Sequence, residues 1–227
     1  MAMNLVKSYD FFQPEKCRER LHIIGCGAVG STVAENLVRL GLTNITLYDF
    51  DTVEAHNIAN QMFRHIDIGK PKTQALAEYL IEINPDVAEN LEIEDDGWHG
   101  QRMAGYVFLC VDNIDLRREI AEKNRTNTYI KAMFDFRIRL TDAQHYAARW
   151  NDRKAQENFL NTMAFTHEEA QAETPVSACN VQLSVAPTVR QICSVGVVNF
   201  INFVKSGGEK LKKMILVDAF DYGLDAF

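Results

Sequence analysis

The sequence predicts an α/β fold, namely a doubly wound, mostly parallel Rossmann-like sheet with an antiparallel C-terminal part. Through residue 135, short apolar runs alternate with amphipathic stretches of helical length, which is the pattern of successive strand–helix–strand units. A glycine-rich turn joins the first apolar run to the first amphipathic stretch, and beyond residue 137 the alternation gives way to other patterns. At 227 residues the chain is long enough for one sizeable domain and too short for two generous ones.

The parallel half is predicted from its apolar runs and helix boundaries. The first strand ends at Gly25, and the first helix ends at Gly41, where a C-terminal glycine belongs. Pro71 lies in the first turn of the second helix, and Asn84-Pro85 ends it. The predicted strands are residues 21–24, 44–51, 91–94, 106–111 and 129–134, and the predicted helices are residues 28–40, 70–83 and 114–123.

The second half has a different pattern. Residues 143–150 fit an antiparallel strand, residues 183–205 an apolar helix that ends at two glycines, and residues 214–220 a final strand. Residues 151–173 are polar and have no clean period, which predicts a long irregular connection. We therefore expect a mobile crossover segment at about 151–175.

Composition and charge narrow the possible functions. The formal net charge of -7 leaves no basic footprint for nucleic acid or an anionic membrane. No apolar stretch approaches the roughly 20 residues of a membrane span and no signal peptide is recognisable, so we expect a cytoplasmic protein. The five cysteines are scattered and form no C-x-x-C pair, so we expect neither a disulfide framework nor zinc.

The glycine-rich turn over residues 25–30 is the first candidate site. Gly25 allows a tight turn, Gly27 lets the backbone approach a phosphate or ribose, and Gly30 lets the helix pack on the strand. Asp49 closes the second strand, 19 residues after Gly30, where a carboxylate accepts hydrogen bonds from ribose hydroxyls. The arrangement predicts a nucleotide site and, by itself, fits NAD as well as ATP.

Further motifs follow in sequence order. They are the run Asp49-Phe50-Asp51 with Val53, then Asn57 with Gln61, then Gly69-Lys70-Pro71-Lys72, and finally Asp112-Asn113. In this order and at these spacings they closely resemble the ThiF/MoeB/HesA superfamily of adenylyltransferases, which shares its fold with ubiquitin-activating enzymes. The resemblance is dense over residues 21–135 and thin afterwards.

The resemblance implies one adenylation domain over residues 1–227, with a nucleotide-binding half at 21–135 and a C-terminal half at 136–227. It implies an enzyme, generally a homodimer, that uses ATP and Mg²⁺ to adenylate a C-terminal carboxylate. The carboxylate would belong to a small ubiquitin-like or sulfur-carrier protein with a flexible C-terminus, or to a peptide.

The resemblance also implies roles for individual residues. Asp49 would hold the ribose, Asn57 would contact the phosphates, and Lys72 would neutralise their charge. Charge neutralisation and positioning are the main needs of phosphoryl chemistry. Carried over by motif, the binding residues are Gly25, Gly27, Ala28, Gly30, Asp49, Asp51, Asn57, Gln61, Lys72 and Asn113, with Lys72 and Asp112 catalytic and Asp112 holding Mg²⁺.

The chain departs from the family pattern. Asn60 stands where the family carries an arginine, and Arg64 is the candidate to replace that charge if the segment is helical. The arginine that family members carry well upstream of the glycine turn has no counterpart, and neither do the zinc-binding cysteine pairs of bacterial members. Some members transfer the activated chain to a cysteine after a crossover, and Cys179 is the candidate for that thioester.

Two other interpretations stay open. An NAD-dependent oxidoreductase would share the glycine turn, although hydride transfer has no need of the segment that contains Lys72. A catalytically weak, nucleotide-binding regulatory homologue would account for Asn60 and for the missing upstream arginine.

Overall fold

The computed structural model describes residues 3–172, 175–176 and 183–227. Within these ranges eight strands form one sheet: β1 Leu21–Ile24, β2 Ile45–Tyr48, β3 Glu92–Glu94, β4 Gly105–Leu109, β5 Ile130–Ile138, β6 Asp142–Arg149, β7 Met214–Asp218 and β8 Gly223–Ala226. Their order is β3-β2-β1-β4-β5-β6-β7-β8. The first five are parallel and the last three antiparallel, so the predicted fold class is confirmed.

Helices cover both faces of this sheet. The α-helices of the described residues are α1 Ala28–Arg39, α2 Lys72–Ile83, α3 Ile114–Lys123, α4 Arg153–Asn161, α5 His167–Ala172 and α6 Ala186–Lys205. Helix α1 contacts α2 and α6 on one face, and α3 contacts α4 and α5 on the other. Every helix in the described ranges is too short or too polar to cross a membrane.

The sheet is buried on both faces at its central parallel strands, β1, β2 and β4. In β1, Ile23 packs into the core under α1, α2 and α6, and its neighbour Ile24 packs into the core under α3 and α4. This explains why the strand is an unbroken apolar run rather than an alternating one. Because β1 lies between β2 and β4, the order reverses there, and the carboxyl ends of β1 and β4 border the crevice where such sheets bind ligands.

Two secondary-structure predictions were wrong. Residues 151–173, predicted to be irregular, contain α4 and α5. Asp152 begins α4 as its N-cap, because its Oδ1 accepts hydrogen bonds from the backbone N of Lys154 (2.9 Å) and of Ala155 (3.1 Å). Strand β7 is not the last, since β8 follows it and adds an exposed edge to the sheet.

Candidate active site

Two glycines of the glycine turn are required sterically, and the third faces the open cleft. Gly25 has φ +93°, and a Cβ there would come 2.8 Å from the backbone N of Val111 at the end of the neighbouring strand. A Cβ on Gly30 would lie 1.8 Å from the carbonyl O of Gly25, so helix α1 can approach β1 only with glycine at this position. A Cβ on Gly27 would meet nothing within 4 Å, because this backbone and that of Ala28 face the open cleft.

Asp49 fixes the glycine turn from the end of β2. Its Oδ2 accepts a hydrogen bond from the backbone N of Cys26 (2.6 Å), and its Oδ1 accepts one from the backbone N of Asp51 (2.9 Å). Burial raises the pKa of this carboxyl above its ordinary value. Each oxygen retains a lone pair for a further donor, so a ribose hydroxyl can be added without breaking either bond.

Lys72 is held in place before any ligand arrives. Its backbone N donates to the carbonyl O of Asp51 (2.9 Å), and its Nζ lies 2.6 Å from Asp51 Oδ2. The bridge between Thr52 and Pro71 ties the same two segments together. Only 8% of Lys72 is exposed, although it lines the cleft. The sequence predicts that Asp51 contacts the nucleotide. In the structure, its carboxylate is paired with Lys72.

A short 3-10 helix, Ala55–Ala59, forms the next part of the cleft wall. Asn57 is 5% exposed, and its Oδ1 accepts a hydrogen bond from the backbone N of Glu54 (2.8 Å), which leaves its amide NH₂ as a donor. The Oε1 of Gln61 is buried without a hydrogen-bond partner among the described residues. A buried acceptor without a donor is unfavourable, so this carbonyl favours a ligand or water that donates to it.

Asp112 and Asn113 follow β4 but have different roles. Asp112 lines the cleft, and no other described residue forms a hydrogen bond or ion pair with its carboxylate. Asn113 does not line the cleft, because its Oδ1 caps helix α3 through the backbone N of Asp115 (2.9 Å) and of Leu116 (3.1 Å). Asn113 is thus a helix cap in this structure, and its contact with the nucleotide stays a prediction.

The opposite wall contains a charge network that sequence reasoning missed. Asp135 on β5 is fully buried between two arginines. Arg117 from α3 forms an ion pair with Asp135 and donates through Nε to the carbonyl O of Val111 (2.7 Å). Arg137 lies 2.7 Å from Asp135 through its Nε and stacks over the Tyr146 ring. Asp135, Arg137 and Arg139 alternate along the chain, which is the signal that β5 continues with one polar face.

Arg137 also anchors the turn after helix α4 to this wall of the cleft. Arg137 donates to the carbonyl O (2.7 Å) and Oγ1 (2.8 Å) of Thr162, at the C-terminal end of α4. Arg118 donates through Nε to the carbonyl O of Met163 (2.8 Å), and it also bonds the carbonyl O of Phe165. Cations at a helix C-terminus satisfy its last carbonyls, so these bonds hold the turn after α4 against the cleft.

The cleft therefore has two ends with a total volume of about 1360 Å³. We call the end at the glycine turn the loop end, and the end beside the antiparallel strands β5 and β6 the hairpin end. The loop end comprises the glycine turn, Asp49, Asn57, Gln61, Lys72 and Asp112. The hairpin end comprises Arg117, Arg137, Tyr146, Thr162 and Phe165.

Comparison with known proteins identifies the family. The family model described as "ThiF family" matches residues 12–223. The chain belongs to the ThiF family. It is 44% identical over 86 residues to ubiquitin-like modifier-activating enzyme 5 of Arabidopsis thaliana, which is 37% of this chain and 19% of that protein. The corresponding enzyme of Dictyostelium discoideum is 38% identical over 114 residues, 43% of this chain and 30% of that protein.

Solved structures share the fold at low sequence identity. The crystal structure of Escherichia coli MccB with ATP has a TM-score of 0.73 and 16% identity, over 94% of this chain and 65% of that one. The structure of PaaA has a TM-score of 0.66 and 14% identity, with the same coverage. This ThiF-family chain thus spans about two thirds of these structures, and a fifth to a third of the two relatives given above.

The structure shows the contacts of Asn60, which departs from the ThiF pattern, and of Arg64, its predicted substitute. Asn60 lines the cleft and donates through Nδ2 to Ser184 Oγ, so it connects the loop end to the segment before α6. Arg64 does not line the cleft. Its guanidinium forms ion pairs with Asp67 (3.0 Å) and Glu82 (2.7 Å), which corrects the prediction that Arg64 replaces the missing arginine.

Every cysteine of the described residues is buried, whereas Cys179 is not among the described residues. Cys26, Cys110 and Cys193 are buried, as predicted, and burial raises the pKa of each thiol far above its ordinary value. A protonated, buried thiol is a poor nucleophile. Cys179, the candidate for a thioester, lies outside the described residues.

Proposed function

We propose that this chain binds ATP at the loop end and adenylates the C-terminal carboxylate of a small ubiquitin-like or sulfur-carrier protein, or of a peptide. The observation that carries the proposal is a set of polar groups that the protein positions but leaves unpaired. The Asp112 carboxylate and the Gln61 carbonyl have no partner among the described residues, and both line the cleft with Lys72. Relatives named for activating ubiquitin-like modifiers, and MccB solved with ATP, support it.

The proposed step is a displacement at phosphorus. A carboxylate oxygen of the partner attacks the α-phosphorus of ATP and forms a new P–O bond. The bond from that phosphorus to the bridging oxygen breaks, and its electron pair leaves with pyrophosphate. A terminal carboxylate is already ionised at neutral pH, so the step needs no general base. It needs charge neutralisation instead, because two anions must approach each other.

The chain's own residues would meet this need as follows. Asp49 would accept hydrogen bonds from the ribose hydroxyls, and the backbone of Gly27 and Ala28 would face the phosphates at the N-terminus of α1. The Asn57 amide would donate to a phosphate oxygen. Lys72 would move its Nζ from Asp51 toward the phosphates, which is a short step because the pair already lies at the cleft.

Asp112 fits a magnesium ion. In the described part of the chain, no group of three His, Cys, Asp or Glu side chains is placed to hold a metal. Mg²⁺ is commonly held by one or two carboxylates together with substrate phosphates and water, and an unpaired carboxylate at the cleft suits that role. When bound, the ion would neutralise phosphate charge.

The size of the cleft supports two occupants. Small-molecule pockets have volumes of about 300–1,000 Å³, and this cleft has about 1360 Å³. ATP at the loop end would leave the hairpin end for the partner's terminal residues. We further propose a homodimer that acts in the cytoplasm, because family members generally pair and because the composition favours that compartment. Light scattering of the purified chain tests the dimer.

A trapping experiment tests the proposed reaction. The chain is incubated with Mg²⁺-ATP, hydroxylamine and candidate small proteins that have a flexible C-terminus, and mass spectrometry detects a C-terminal hydroxamate. We expect ATP-dependent hydroxamate on the true partner and none on the same partner with an amidated C-terminus. ATP binding without hydroxamate or ATP–pyrophosphate exchange, on a partner that binds the chain, would favour the regulatory homologue.

A thioester at Cys179 stays a separate prediction. If the acyl group moves from the adenylate to this thiol, a reducing agent should release the partner from the wild-type chain. The Cys179→Ser variant should instead form an ester that resists reducing agent and yields to alkali. Unchanged adduct chemistry in the Cys179→Ser variant would exclude the role.

A further inference from the structure

A second cavity lies at the end of the sheet opposite the cleft, and we call it the basal pocket. Its volume is about 250 Å³, and none of the residues that line it also lines the cleft. Drug-sized ligands occupy about 300–1,000 Å³, so this cavity suits a smaller molecule. Its polar lining includes Glu19 before β1, Tyr106 on β4, Lys131 on β5 and Arg149 at the end of β6.

Strand register explains the space inside the basal pocket. Tyr106 on β4 pairs with Ala132 on β5, and Ala132 pairs in turn with Arg149 on β6. Residues in one such row project from the same face of the sheet, so a small side chain here separates two long ones. Ala132 is fully buried. A larger residue at this position would fill the space between Tyr106 and Arg149.

Tyr106 brings an unpaired polar group to the basal pocket. Its ring is held by edge-on contacts with Phe200 and Phe203, at centroid distances of 5.1 Å and 6.0 Å. The residue is only 6% exposed, yet its hydroxyl forms no hydrogen bond with any described residue. Buried tyrosine hydroxyls usually have a partner, so this one favours a ligand in the pocket that Tyr106 lines.

The charged side chains of the basal pocket are also unpaired. In the described part of the chain, the side chains of Glu19, Lys131 and Arg149 have neither an ion pair nor a hydrogen bond. A Cβ on Gly208 would lie 3.1 Å from Arg149 Cζ, so the glycine leaves room for the guanidinium beside the end of α6. Two cations and one carboxylate leave a net single positive charge, which a monoanion would neutralise.

We propose that the basal pocket binds a small hydroxycarboxylate. The guanidinium of Arg149 would donate to both carboxylate oxygens, and Lys131 and the Tyr106 hydroxyl would donate to the same group. Glu19 would accept a hydrogen bond from the hydroxyl of the ligand, which a simple carboxylate lacks. This inference is independent of the proposed function, because the basal pocket and the cleft share no lining residue.

An NMR titration of the isotope-labelled chain with sodium glycolate tests the proposal. We expect saturable shifts of the backbone amide signals around the basal pocket. Arg149→Met should weaken glycolate binding about ten- to a hundredfold and Tyr106→Phe about two- to tenfold, in line with the loss of charged and neutral hydrogen bonds. Acetate, which lacks the hydroxyl, should also bind about two- to tenfold more weakly. Arg153→Met is the matched control, because this exposed arginine lines neither cavity.

Thermal melting separates binding from a structural role. Because the hydroxyl of Tyr106 has no partner among the described residues, Tyr106→Phe should melt no lower than wild type in the absence of ligand. A ligand that binds the folded state stabilises it, so glycolate should raise the melting temperature of wild type more than that of Arg149→Met.

Three results would overturn the proposal. The first is shifts that do not saturate with glycolate, or that sodium chloride reproduces at the same concentration. The second is equal affinity for acetate and glycolate, or tighter binding of inorganic phosphate, since the ligand class would then be wrong. The third is a Tyr106→Phe variant that melts lower than wild type and binds glycolate equally well, since the hydroxyl would then be structural.

Discussion

The two ends of the cleft carry similar numbers of charged groups but use them differently. At the hairpin end, Arg117 and Arg137 are both ion-paired with Asp135, and both donate hydrogen bonds to backbone carbonyls. At the loop end, Asp112 and the carbonyl of Gln61 have no partner among the described residues. The hairpin end therefore uses its charges mainly to hold this wall together, whereas the loop end contains polar groups that remain available for a ligand.

The largest effect is expected at the hairpin end, on stability. Asp135→Ala leaves the buried Arg117 and the partly buried Arg137 without their carboxylate, and breaking a buried pair in this way costs about 3–5 kcal/mol. We expect urea unfolding to show that loss. Asp142→Ala, a half-buried carboxylate at the same end, is the control and should cost under about 1 kcal/mol. A loss of under about 1 kcal/mol for Asp135→Ala would show that the ion pairs of Asp135 do not stabilise this wall of the cleft.

The next effect is expected at the loop end, on activity. Lys72→Met should lower ATP–pyrophosphate exchange about 10²- to 10³-fold, the loss seen when one preorganised charge-stabilising group is removed. Stability should change little, because its partner Asp51 remains half-exposed and can be solvated. Lys70→Met, an ion-paired lysine of the same segment outside the cleft, is the matched control. Equal exchange by the two variants would remove Lys72 from the site.

A substitution at Arg64 tests whether a charged residue outside the cleft contributes to stability but not to activity. Asp67 is fully buried beneath it, so Arg64→Ala should lower the free energy of unfolding by about 1.5–3 kcal/mol, the contribution of hydrogen bonds from a charged group to a buried carboxylate. Exchange per folded molecule should stay at the wild-type level. A variant that is stable but inactive would contradict the structure and restore the sequence-based prediction.

The smallest effect concerns pH. Burial lowers the pKa of His145 to about 4, below its ordinary value, so the folded state keeps this ring neutral. The unfolded state takes up a proton below about pH 6.5, and stability is therefore lost as pH falls from there toward 4. His145→Gln should reduce that slope by about 1 kcal/mol per pH unit, measured by urea unfolding between pH 6 and 5. An unchanged slope would show that His145 does not contribute.

Local patterns predicted the parallel half well. Helix α3 begins and ends where the sequence predicts, and Gly25 and Gly30 have the steric roles expected of them in the turn. Helix α4 was missed because it is mostly polar and buries only Gln156 and Phe159, although Asp152 as an N-cap was a readable signal. Strand β8 was missed because its four residues are all exposed and show no alternation.

The candidate site was harder to predict where a side chain pairs with a residue that is distant in the sequence. Motif spacing brought Asp49, Asn57, Gln61, Lys72 and Asp112 to one cleft, as the structure has them. The ion pair of Arg64 with Glu82 joins residues 18 positions apart, on separate elements, and no local pattern reveals it. The cap at Asn113 shows the same limit, because a helix N-cap and a ligand-binding amide are the same residue type at the same strand end.

One titration tests the central claim that the loop end of the cleft binds the nucleotide. Calorimetry compares Mg²⁺-ATP and NAD on the wild-type chain and on Asp49→Ala and Asp112→Asn. We predict Mg²⁺-dependent binding of ATP, weakened in Asp49→Ala and no longer dependent on Mg²⁺ in Asp112→Asn, with no tight binding of NAD. Tight NAD binding without a response to ATP, or ATP binding that neither substitution changes, would contradict the account.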